Sequence, residues 1–486
     1  MPIAATPHLT PSRFHSIVAV TGIAFGLTAP LTAVLATALG AGGLLAGLAV
    51  SSANSSVLLV DLFGTRWTPR LEVRRAVTVA LAIFGTGSLA TGLSHSYAAM
   101  VVARIFQGLG IALFLGVGPQ LAVRLAGREA TGRRPAGRAL GSFNAAWFAG
   151  IAIGPLFGGW IAGLLPGVAG MRLAFLVCGV LSGLIAVLVW LTFPRVASGS
   201  VPRLGLPVPR RIGGRRAYAV LLTGALGQAV RSGLAMTVLP LLGTQVFGMS
   251  TVELGLALSA LAVVDVLAMG FAARLSDVRG RLPVLLPACI WGAAIVAALL
   301  ATDTRMWFLP LCAALGLTVG VAWVVPGAMA VDVISDAETA LATYRISSDI
   351  GIVAGGFASG AAISLLGIRG ALLAGVGHLL LIAVLVLVVR ETRQRAVPRP
   401  LSPTLPGGPV MPDAQPPPEP TPELFRALLV DQGLEFLSAE RRQAALDSHR
   451  AMRPALARLR AAPLSFVEPV SEPASALAWL ERGGVR

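Results

Sequence analysis

Long apolar runs, separated by short polar segments, fill most of the chain. Each run is about 20 residues long, which is enough for an α-helix to cross the hydrocarbon core of a bilayer. The pattern therefore predicts an all-α membrane protein with twelve spanning helices, called spans 1 to 12. Their predicted limits are residues 15–38, 41–63, 76–94, 97–123, 139–165, 171–193, 217–243, 252–274, 284–301, 306–331, 340–366 and 369–390.

The composition supports this interpretation. Apolar residues make up 55% of the chain and charged residues only 12%, and the mean hydropathy is +0.80. A soluble chain carries about twice that charged fraction. The first thirteen residues are too short for a cleaved signal and no small-residue cleavage site follows them, so we expect span 1 to be retained.

All basic residues are arginines, and their placement predicts the orientation. The loops after odd-numbered spans offer only Arg172, Arg305 and Arg369. Cytoplasmic loops carry the excess of basic residues in membrane proteins. We therefore expect a cell (inner) membrane protein with both termini in the cytoplasm, and the net charge of +16 requires no nucleic-acid partner. The arginines of the other loops are Arg66, Arg70, Arg74, Arg75, Arg124, Arg128, Arg133, Arg134, Arg138, Arg195, Arg203, Arg210, Arg211, Arg215, Arg216, Arg274, Arg279 and Arg281.

A central loop rich in Pro, Gly and Arg, residues 194–216, divides the spans into two halves of six, residues 1–193 and 217–390. Short echoes between the halves, each expected at the same span number and depth, suggest a duplication. Repeated halves with helices interrupted by Gly and Pro are typical of secondary transporters whose site lies between the halves. The echoes are Ala29-Pro30-Leu31 with Leu239-Pro240-Leu241, Asp61–Arg66 with Asp277–Arg281, and Pro119 with Pro326.

Span 5 carries the sequence Gly150-Ile-Ala-Ile-Gly154-Pro155-Leu-Phe-Gly158-Gly159. Gly150, Gly154 and Gly158 lie four residues apart, so they share one helical face on which a neighbouring helix can come close. Pro155 removes a backbone donor, and we expect the helix to bend there. The motif predicts a close helix contact that slides between the two halves.

These motifs resemble those of the major facilitator superfamily, over about residues 14–390. The loops after spans 2 and 8 carry versions of its GxxxDxxGR signature, and span 4 carries a version of RxxQG. The glycine motif of span 5 resembles that of drug–proton antiporters. The matching residues are Asp61, Gly64, Arg66, Arg104, Gln107, Gly108, Asp277, Gly280 and Arg281.

The resemblance implies alternating access and proton-coupled efflux of small apolar or amphipathic compounds. It also implies a small-molecule substrate and protons as partners. Physically, an Asp at the cytoplasmic end of a helix, followed by a Gly turn and Arg, can pair across the halves and lock one state with about 1–2 kcal/mol. The alternative is a helix stop with positive-inside charge. The candidate gate residues are Asp61, Gly64, Arg66, Asp277, Gly280 and Arg281.

Arg345 and Asp349 lie four residues apart near the inner end of span 11. This spacing places them on one helical face, and we expect them to pair with each other. Because the acidic residues Asp332, Asp336 and Glu338 are adjacent in sequence, Arg345 and Asp349 are added to the candidate gate.

Three ionisable residues lie deep in spans and are candidates for proton coupling: Arg104, Arg231 and Asp265. Charges inside a membrane are expensive and are functional candidates by default. Arg104 is expected to face a central cavity, and Arg231 can pair with Asp265. Either Asp265 exchanges a proton during the cycle, or the pair only holds span 7 to span 8.

Neutral amide side chains, Asn144, Gln107 and Gln228, are candidates for the substrate cavity, although such groups also form bonds between helices. Span 1 lacks the acidic residue of many drug–proton antiporters. It offers Thr21, Thr28 and Thr32 instead, which leaves proton coupling in the first half in doubt.

The sequence favours no enzyme and no cofactor. It contains no Gly-rich phosphate loop of the GxxxxGK[ST] type, so an ATP-driven pump is not expected. The scattered His8, His15, His95, His378 and His449 show no metal-ligand spacing, and the cysteines Cys178, Cys289 and Cys312 fall inside predicted spans as core residues.

The chain changes character after the last span. A Pro-rich segment, residues 391–422, is expected to be a disordered linker, and residues 423–486 have the spacing of a small helical cytoplasmic tail. The segment Ala457–Pro469 resembles the accessory subunits of amidase-signature enzymes. That resemblance implies a cytoplasmic protein partner and an alternative function, the import of a small anionic or amide metabolite. A membrane scaffold without transport is a further alternative.

Overall fold

The computed structural model describes residues 11–67, 73–129, 136–193, 212, 214–393 and 447, and these are almost entirely helical. Eleven helices in this part of the chain are long and apolar enough to cross a membrane. The α-helices are α1 (Pro11–Thr28), α2 (Leu31–Ala38), α3 (Gly43–Trp67), α4 (Val73–Leu93), α5 (Tyr97–Glu129), α6 (Ala136–Gly163), α7 (Gly167–Thr192), α8 (Arg215–Val230), α9 (Leu239–Leu241), α10 (Thr251–Arg279), α11 (Leu282–Ala301), α12 (Phe308–Val333) and α13 (Ala337–Val389).

Spans 1 to 10 each coincide with one of these candidate crossings to within a few residues, whereas spans 11 and 12 lie together in α13. The helix is broken at Gly367, whose φ of 73° and ψ of 175° are not helical. Gly351 packs against the backbone of Ala225, and His378 Nε2 lies 2.8 Å from the carbonyl oxygen of Leu226. Ala225 and Leu226 are adjacent in the chain, whereas Gly351 and His378 would be about 40 Å apart in a straight helix. The chain therefore reverses direction at Gly367.

The predicted echo of Pro30 and Pro240 falls in corresponding spans, 1 and 7. Pro30 is the N-cap residue of α2 and follows a break after α1. Pro240 lies between two π-helical segments, Arg231–Val238 and Leu242–Val246. Proline cannot donate the backbone hydrogen bond of a regular helix, which accounts for the break before α2 and for the irregular helix around Pro240.

Short connections join consecutive spanning helices within each half, so the chain alternates between two ends of the bundle. The arginine-poor end contains the glycine turns at Gly40, Gly167, Gly248 and Gly367. The arginine-rich end contains Gly280, the α12–α13 connection and the residues after α13. These two names are used below without reference to the sides of a membrane.

Two pairs of helices make the main contact between the first half, residues 11–193, and the second half, residues 214–393. Helix α3 packs against α13, which we call the first seam, and α6 packs against α10, which we call the second seam. The first seam joins spans 2 and 11, and the second seam joins spans 5 and 8. Each half therefore contributes its second and its fifth span. Within the halves, α1 packs on α6, α4 on α5 and α7, α10 on α12, and α8 on α13.

The core is built from Leu, Val, Ala and Phe side chains on the facing sides of these helices. Cys178, Cys289 and Cys312 are free and buried, as predicted. The central loop up to residue 211, the Pro-rich linker from residue 394 and the tail lie outside the described residues, apart from Asp447. The predictions for these segments therefore remain predictions.

Candidate gating and proton-coupling site

The glycine stripe of α6 packs within its own half. A Cβ atom at Gly154 would lie 2.6 Å from the Cα of Gly26, and Cβ atoms at Gly150 and Gly158 would overlap the carbonyl oxygens of Ala19 and Leu27. All three partners belong to α1. The predicted close contact is present, but this face does not slide between the halves as the sequence suggested.

The contact between the halves uses the next face of the same helix. A Cβ atom at Gly159 would lie 2.9 Å from the Cα of Gly255 in α10, and one at Gly255 would lie 2.5 Å from the carbonyl oxygen of Pro155. The backbones of α6 and α10 therefore touch at the second seam. The bend expected at Pro155 remains a prediction.

Helix α13 repeats this arrangement at the first seam. Gly351 and Gly355 pack against α8 of their own half, and a Cβ atom at Gly47 of α3 would lie 2.8 Å from the Cα of Gly360. Each seam also carries a serine bonded to the opposite backbone. Ser51 Oγ donates to the carbonyl oxygen of Val353 at 2.8 Å, and Ser259 Oγ accepts from the Leu156 amide at 2.8 Å.

An ion pair closes the first seam towards the arginine-rich end. Arg345 of α13 donates to both carboxylate oxygens of Asp61 in α3, with Nε–Oδ2 at 2.6 Å and Nη2–Oδ1 at 3.2 Å. The Asp61 side chain is only 4% exposed. Among the described residues, this is the ion pair that joins the two halves.

The prediction that Arg345 pairs with Asp349 is wrong for this conformation. Oδ2 of Asp349 is buried and has no hydrogen-bond partner. The guanidinium and the Asp61 carboxylate are the charged groups that act on it. The spacing of four residues permits the predicted pair, but an acid 284 residues away in sequence takes the guanidinium.

The second signature, Asp277 to Arg281, forms its contacts inside the second half. Arg281 Nη1 lies 2.5 Å from Asp277 Oδ1, and Arg281 Nε donates to Asp332 Oδ2 of α12 at 3.0 Å. Burial alone would lower the pKa of Arg281, but the hydrogen bonds to Asp332 and Asp277 raise it above its ordinary value. The expected pairing of Asp277 across the halves is therefore not present.

The residues after α13 complete this cluster. Glu391 accepts from the backbone amides of Arg281 at 3.0 Å and Leu282 at 3.1 Å, at the start of α11. Burial would raise the pKa of Glu391, but these amides and that of Arg393 hold it below its ordinary value. A Cβ atom at Gly280, where φ is 103°, would contact the Glu391 carboxylate.

The two signatures lie at different depths, which corrects the predicted echo. Measured from the seam glycines, Asp61 follows Gly47 by 14 residues and Asp277 follows Gly255 by 22. Eight residues correspond to about 12 Å of helix. Asp61 therefore lies between the halves, while the side chain of Asp277 is 68% exposed in the last turn of α10.

The second seam lacks the corresponding ion pair. Met269 follows Gly255 by 14 residues, as Asp61 follows Gly47. Asn144 precedes Gly159 by 15 residues, as Arg345 precedes Gly360. Of the remaining gate residues, Gly64 lies buried in α3. Arg66 also belongs to α3, but its side chain lies outside the description.

Arg231 and Asp265 form a two-pronged salt bridge in the second half. The distances are 2.8 Å from Nη1 to Oδ2 and 3.0 Å from Nη2 to Oδ1, and the side chains are 11% and 3% exposed. The guanidinium carbon lies 4.8 Å from the ring centroid of Trp323, a cation–π distance. Arg231 begins the first π-helical segment, a type of interruption that is frequent at functional sites.

Arg104 and Gln107 lie together inside the first half. Arg104 Nη1 donates to Gln107 Oε1, and Gln107 Nε2 donates to Ser88 Oγ at 2.7 Å. Both side chains are buried, and Arg104 has no carboxylate partner within the described ranges. Its Nε atom has no hydrogen-bond acceptor.

The other predicted cavity residues are separated. Gln228 is buried beside α13 with its Oε1 atom unpartnered, whereas Asn144 is exposed on α6. One turn after Asn144, the ring of Phe148 meets Trp323 edge-on at 5.4 Å and joins the halves. The Tyr344 hydroxyl donates to the Trp323 carbonyl oxygen at 2.5 Å.

Several contributing residues were not predicted. The sequence shows Asp332 only as an acid near Arg345 and Asp349, without its partner Arg281. Glu391 lies next to a helix end in sequence and resembles an ordinary capping residue, and Trp323 looks like any apolar residue of a span. Ser51 and Ser259 did leave a signal, because each follows a seam glycine by four residues.

An open groove of about 630 Å³ follows the first seam between α3, α5 and α13. Its lining includes Leu48, Ile105 and Phe357, together with hydroxyl groups that donate to backbone carbonyls. The groove surface is therefore almost entirely apolar. Within the described ranges, no group of three or more His, Cys, Asp or Glu side chains could hold a metal ion.

Comparison with known proteins gives one family. The protein-family model described as "Major Facilitator Superfamily" matches residues 14–230 and 221–456. No curated protein matches the chain.

Solved transporters share the fold. A bacterial homologue of the human lysosomal transporter Spinster, inward-facing and occupied, has a TM-score of 0.61 at 16% identity, covering 77% of this chain and 95% of that one. The nucleoside transporter NupG has a TM-score of 0.60 at 14% identity, covering 78% and 98%. At these identities the likeness concerns the fold alone.

Proposed function

Because the chain belongs to the major facilitator superfamily, we propose that it is a secondary active transporter that works by alternating access. The reversal at Gly367 supports twelve crossings rather than eleven. The arginine content of the loops supports a cytoplasmic arginine-rich end in the cell membrane.

The ion pair between Asp61 and Arg345 is the observation that carries this proposal. Its carboxylate is buried, it joins the two halves, and it lies at one end of a seam that also carries close glycine contacts and the hydrogen bond of Ser51. Such a pair stabilises the state in which the arginine-rich end is closed. It must break each time the halves separate there, as alternating access requires.

We further propose that the transporter couples proton entry to the export of small apolar or amphipathic compounds. The apolar groove beside the first seam suits such cargo, because its hydroxyl groups are already engaged with the backbone. The buried pair of Arg231 and Asp265 would supply the proton step, since a buried charged pair is a costly alternative to apolar packing.

Reconstituted protein tests the coupling. Proteoliposomes with an imposed pH gradient, exposed to a panel of lipophilic cations and neutral amphiphiles, should show substrate-dependent proton movement. Asp265→Asn should abolish that movement while the protein still inserts and folds. Asp303→Asn, which removes an exposed acid paired with Arg369, serves as the control. Unchanged proton movement in Asp265→Asn would refute the role of Asp265.

Import of an anionic or amide metabolite is a second candidate with weaker support. The guanidinium of Arg231 is already engaged by Asp265, so in this conformation it is not free for a substrate anion. The tail that motivated the amidase partner lies outside the described residues. Uptake of anions or amides without efflux of amphiphiles, measured in the same proteoliposomes, would favour this alternative.

A further inference from the structure

Three charged side chains meet at the arginine-rich end of the first seam. Asp61 comes from α3, and Arg345 and Asp349 come from α13, one helical turn apart. Two acids thus share one guanidinium. The distances show that Asp61 holds it in this conformation, since both of its oxygens accept from Arg345.

Asp349 has no comparable partner. Its Oδ2 atom is buried without any hydrogen-bond donor, and its charged neighbours are the Asp61 carboxylate and Arg345. A buried carboxylate oxygen without a donor is unfavourable, and a second carboxylate close by adds repulsion. A proton on Asp349 removes both penalties and leaves the three-residue cluster neutral.

Among the described residues, the charged groups that act on Asp349 are Asp61 and Arg345. The charged residues that neighbouring elements bring have partners of their own: Arg216 donates to the carbonyl oxygens of Val389 and Glu391, Arg231 pairs with Asp265, and Asp332 pairs with Arg281. Arg215 lies at the exposed start of α8.

We propose that Asp349 is a proton-binding residue that exchanges with Asp61 for the guanidinium of Arg345 when the halves separate at the arginine-rich end. In the closed state Asp349 is protonated and Asp61 holds Arg345. On opening, Asp61 moves away with α3, and the proton leaves Asp349 for water at the arginine-rich end. The new carboxylate then pairs with Arg345 at the i, i+4 spacing that a single helix allows.

The exchange links one proton to one conformational step: Arg345 is paired in both states, and the Asp61 carboxylate that α3 carries away is hydrated at the opened end. It deepens the proposed transport function, on which it rests, by assigning a second proton site in addition to Asp265. It also places proton release at the end that opens. Low pH at the arginine-rich end should therefore favour closure there.

The distance between α3 and α13 tests this exchange without any substrate. The side chains of Phe63 and Leu341 are 38% and 56% exposed. The double variant Phe63→Cys/Leu341→Cys of the full chain, in lipid nanodiscs, therefore accepts spin labels at both positions. The native cysteines are all buried and should remain unlabelled. Pulsed electron spin resonance should show mainly the short distance at pH 5 and a larger population of the long distance at pH 8.

Variants separate the proposal from a purely structural role. Asp349→Asn should hold the short distance at both pH values, because the amide imitates the protonated acid. Asp61→Asn should show the long distance at both pH values, because Arg345 then pairs with Asp349 instead. Asp349→Glu, which keeps an acid, should retain the pH response and guards against a folding defect.

The decisive result is the pH response of Asp349→Asn. A response equal to that of the parent would overturn the proposal, as would a loss of response in the control Asp303→Asn. The outcome is independent of the proton-flux experiment. A pH-driven exchange can be present when Asp265→Asn leaves proton movement unchanged, and it can be absent when transport is fully coupled.

Discussion

Ser51 and Ser259 occupy corresponding positions on α3 and α10, each four residues after a seam glycine and each bonded to the backbone of the opposite half. Ser51 donates to a carbonyl oxygen, whereas Ser259 accepts from an amide. The two seams are thus built on one plan with opposite polarity of the hydrogen bond. This correspondence identifies the duplicated interface more directly than the charged signatures do.

Loss of either seam hydroxyl should favour separation of the halves. Ser51→Ala and Ser259→Ala each remove one hydrogen bond worth about 1 kcal/mol, so the open population should rise about fivefold. Spin-label distances across the seams would measure this change. Ser52→Ala is the matched control, because Ser52 Oγ donates to Ala49 within its own helix. An equal shift in that variant would show that the effect is not specific to the seam.

A methyl group at Gly255 should prevent full closure of the second seam. Its Cβ would lie 2.5 Å from the carbonyl oxygen of Pro155, and a backbone carbonyl cannot rotate away as a side chain could. Gly255→Ala should therefore lengthen the α6–α10 distance at the arginine-poor end and slow transport. Gly270→Ala in the same helix, where nothing lies within 4 Å, should leave both unchanged. Normal closure in Gly255→Ala would contradict the observed contact.

Removing one member of the buried pair should cost more stability than removing both. Asp265→Leu leaves Arg231 as a buried, unpaired charge, which should lower the free energy of unfolding by about 3 kcal/mol. The double variant Arg231→Met/Asp265→Leu should recover most of that loss. Thermal unfolding in detergent measures both. A double variant no more stable than the single one would show that the pair contributes net stability.

The Glu391 contacts should make stability depend on pH in the acidic range. Because the folded pKa lies below the ordinary value of 4.5, its contribution is fully present above pH 4.5 and is lost as the pH falls through the folded pKa. Since Glu391 is largely exposed, we expect at most about 1 kcal/mol. Thermal unfolding between pH 3 and pH 7 should show a smaller decline for Glu391→Gln. Asp303→Asn, at the opposite end of the bundle, is the control.

The helices could be predicted closely because their cause is local. A run of about 20 apolar residues must form a helix in a bilayer, and the limits of α4 and α11 follow directly from their sequences. Gly367 was also a predicted boundary, lying between spans 11 and 12, although the helix continues on both sides of it.

The partners of charged residues could not be predicted, because they depend on packing between distant segments. Arg345 had a suitable acid four residues away, yet it binds Asp61. The error arose from the i, i+4 rule, which considers one helix alone and takes no account of an acid on α3. A separate error was to treat Asp61 and Asp277 as equivalent in depth on the basis of a shared motif. The seam glycines show that they differ by about two helical turns. For Arg231 and Asp265, similar depth on adjacent spans was enough to predict the contact.

Glycine has no side-chain rotamers, and this affects the energetics of the seams. Where Gly47 meets Gly360 and Gly159 meets Gly255, backbone touches backbone, so closing these contacts freezes no side-chain torsion. The entropy that ordinary interfaces lose when long side chains become ordered is absent there. The open and closed states can therefore lie close in free energy, and a single hydrogen bond or proton is large enough to shift the balance between them.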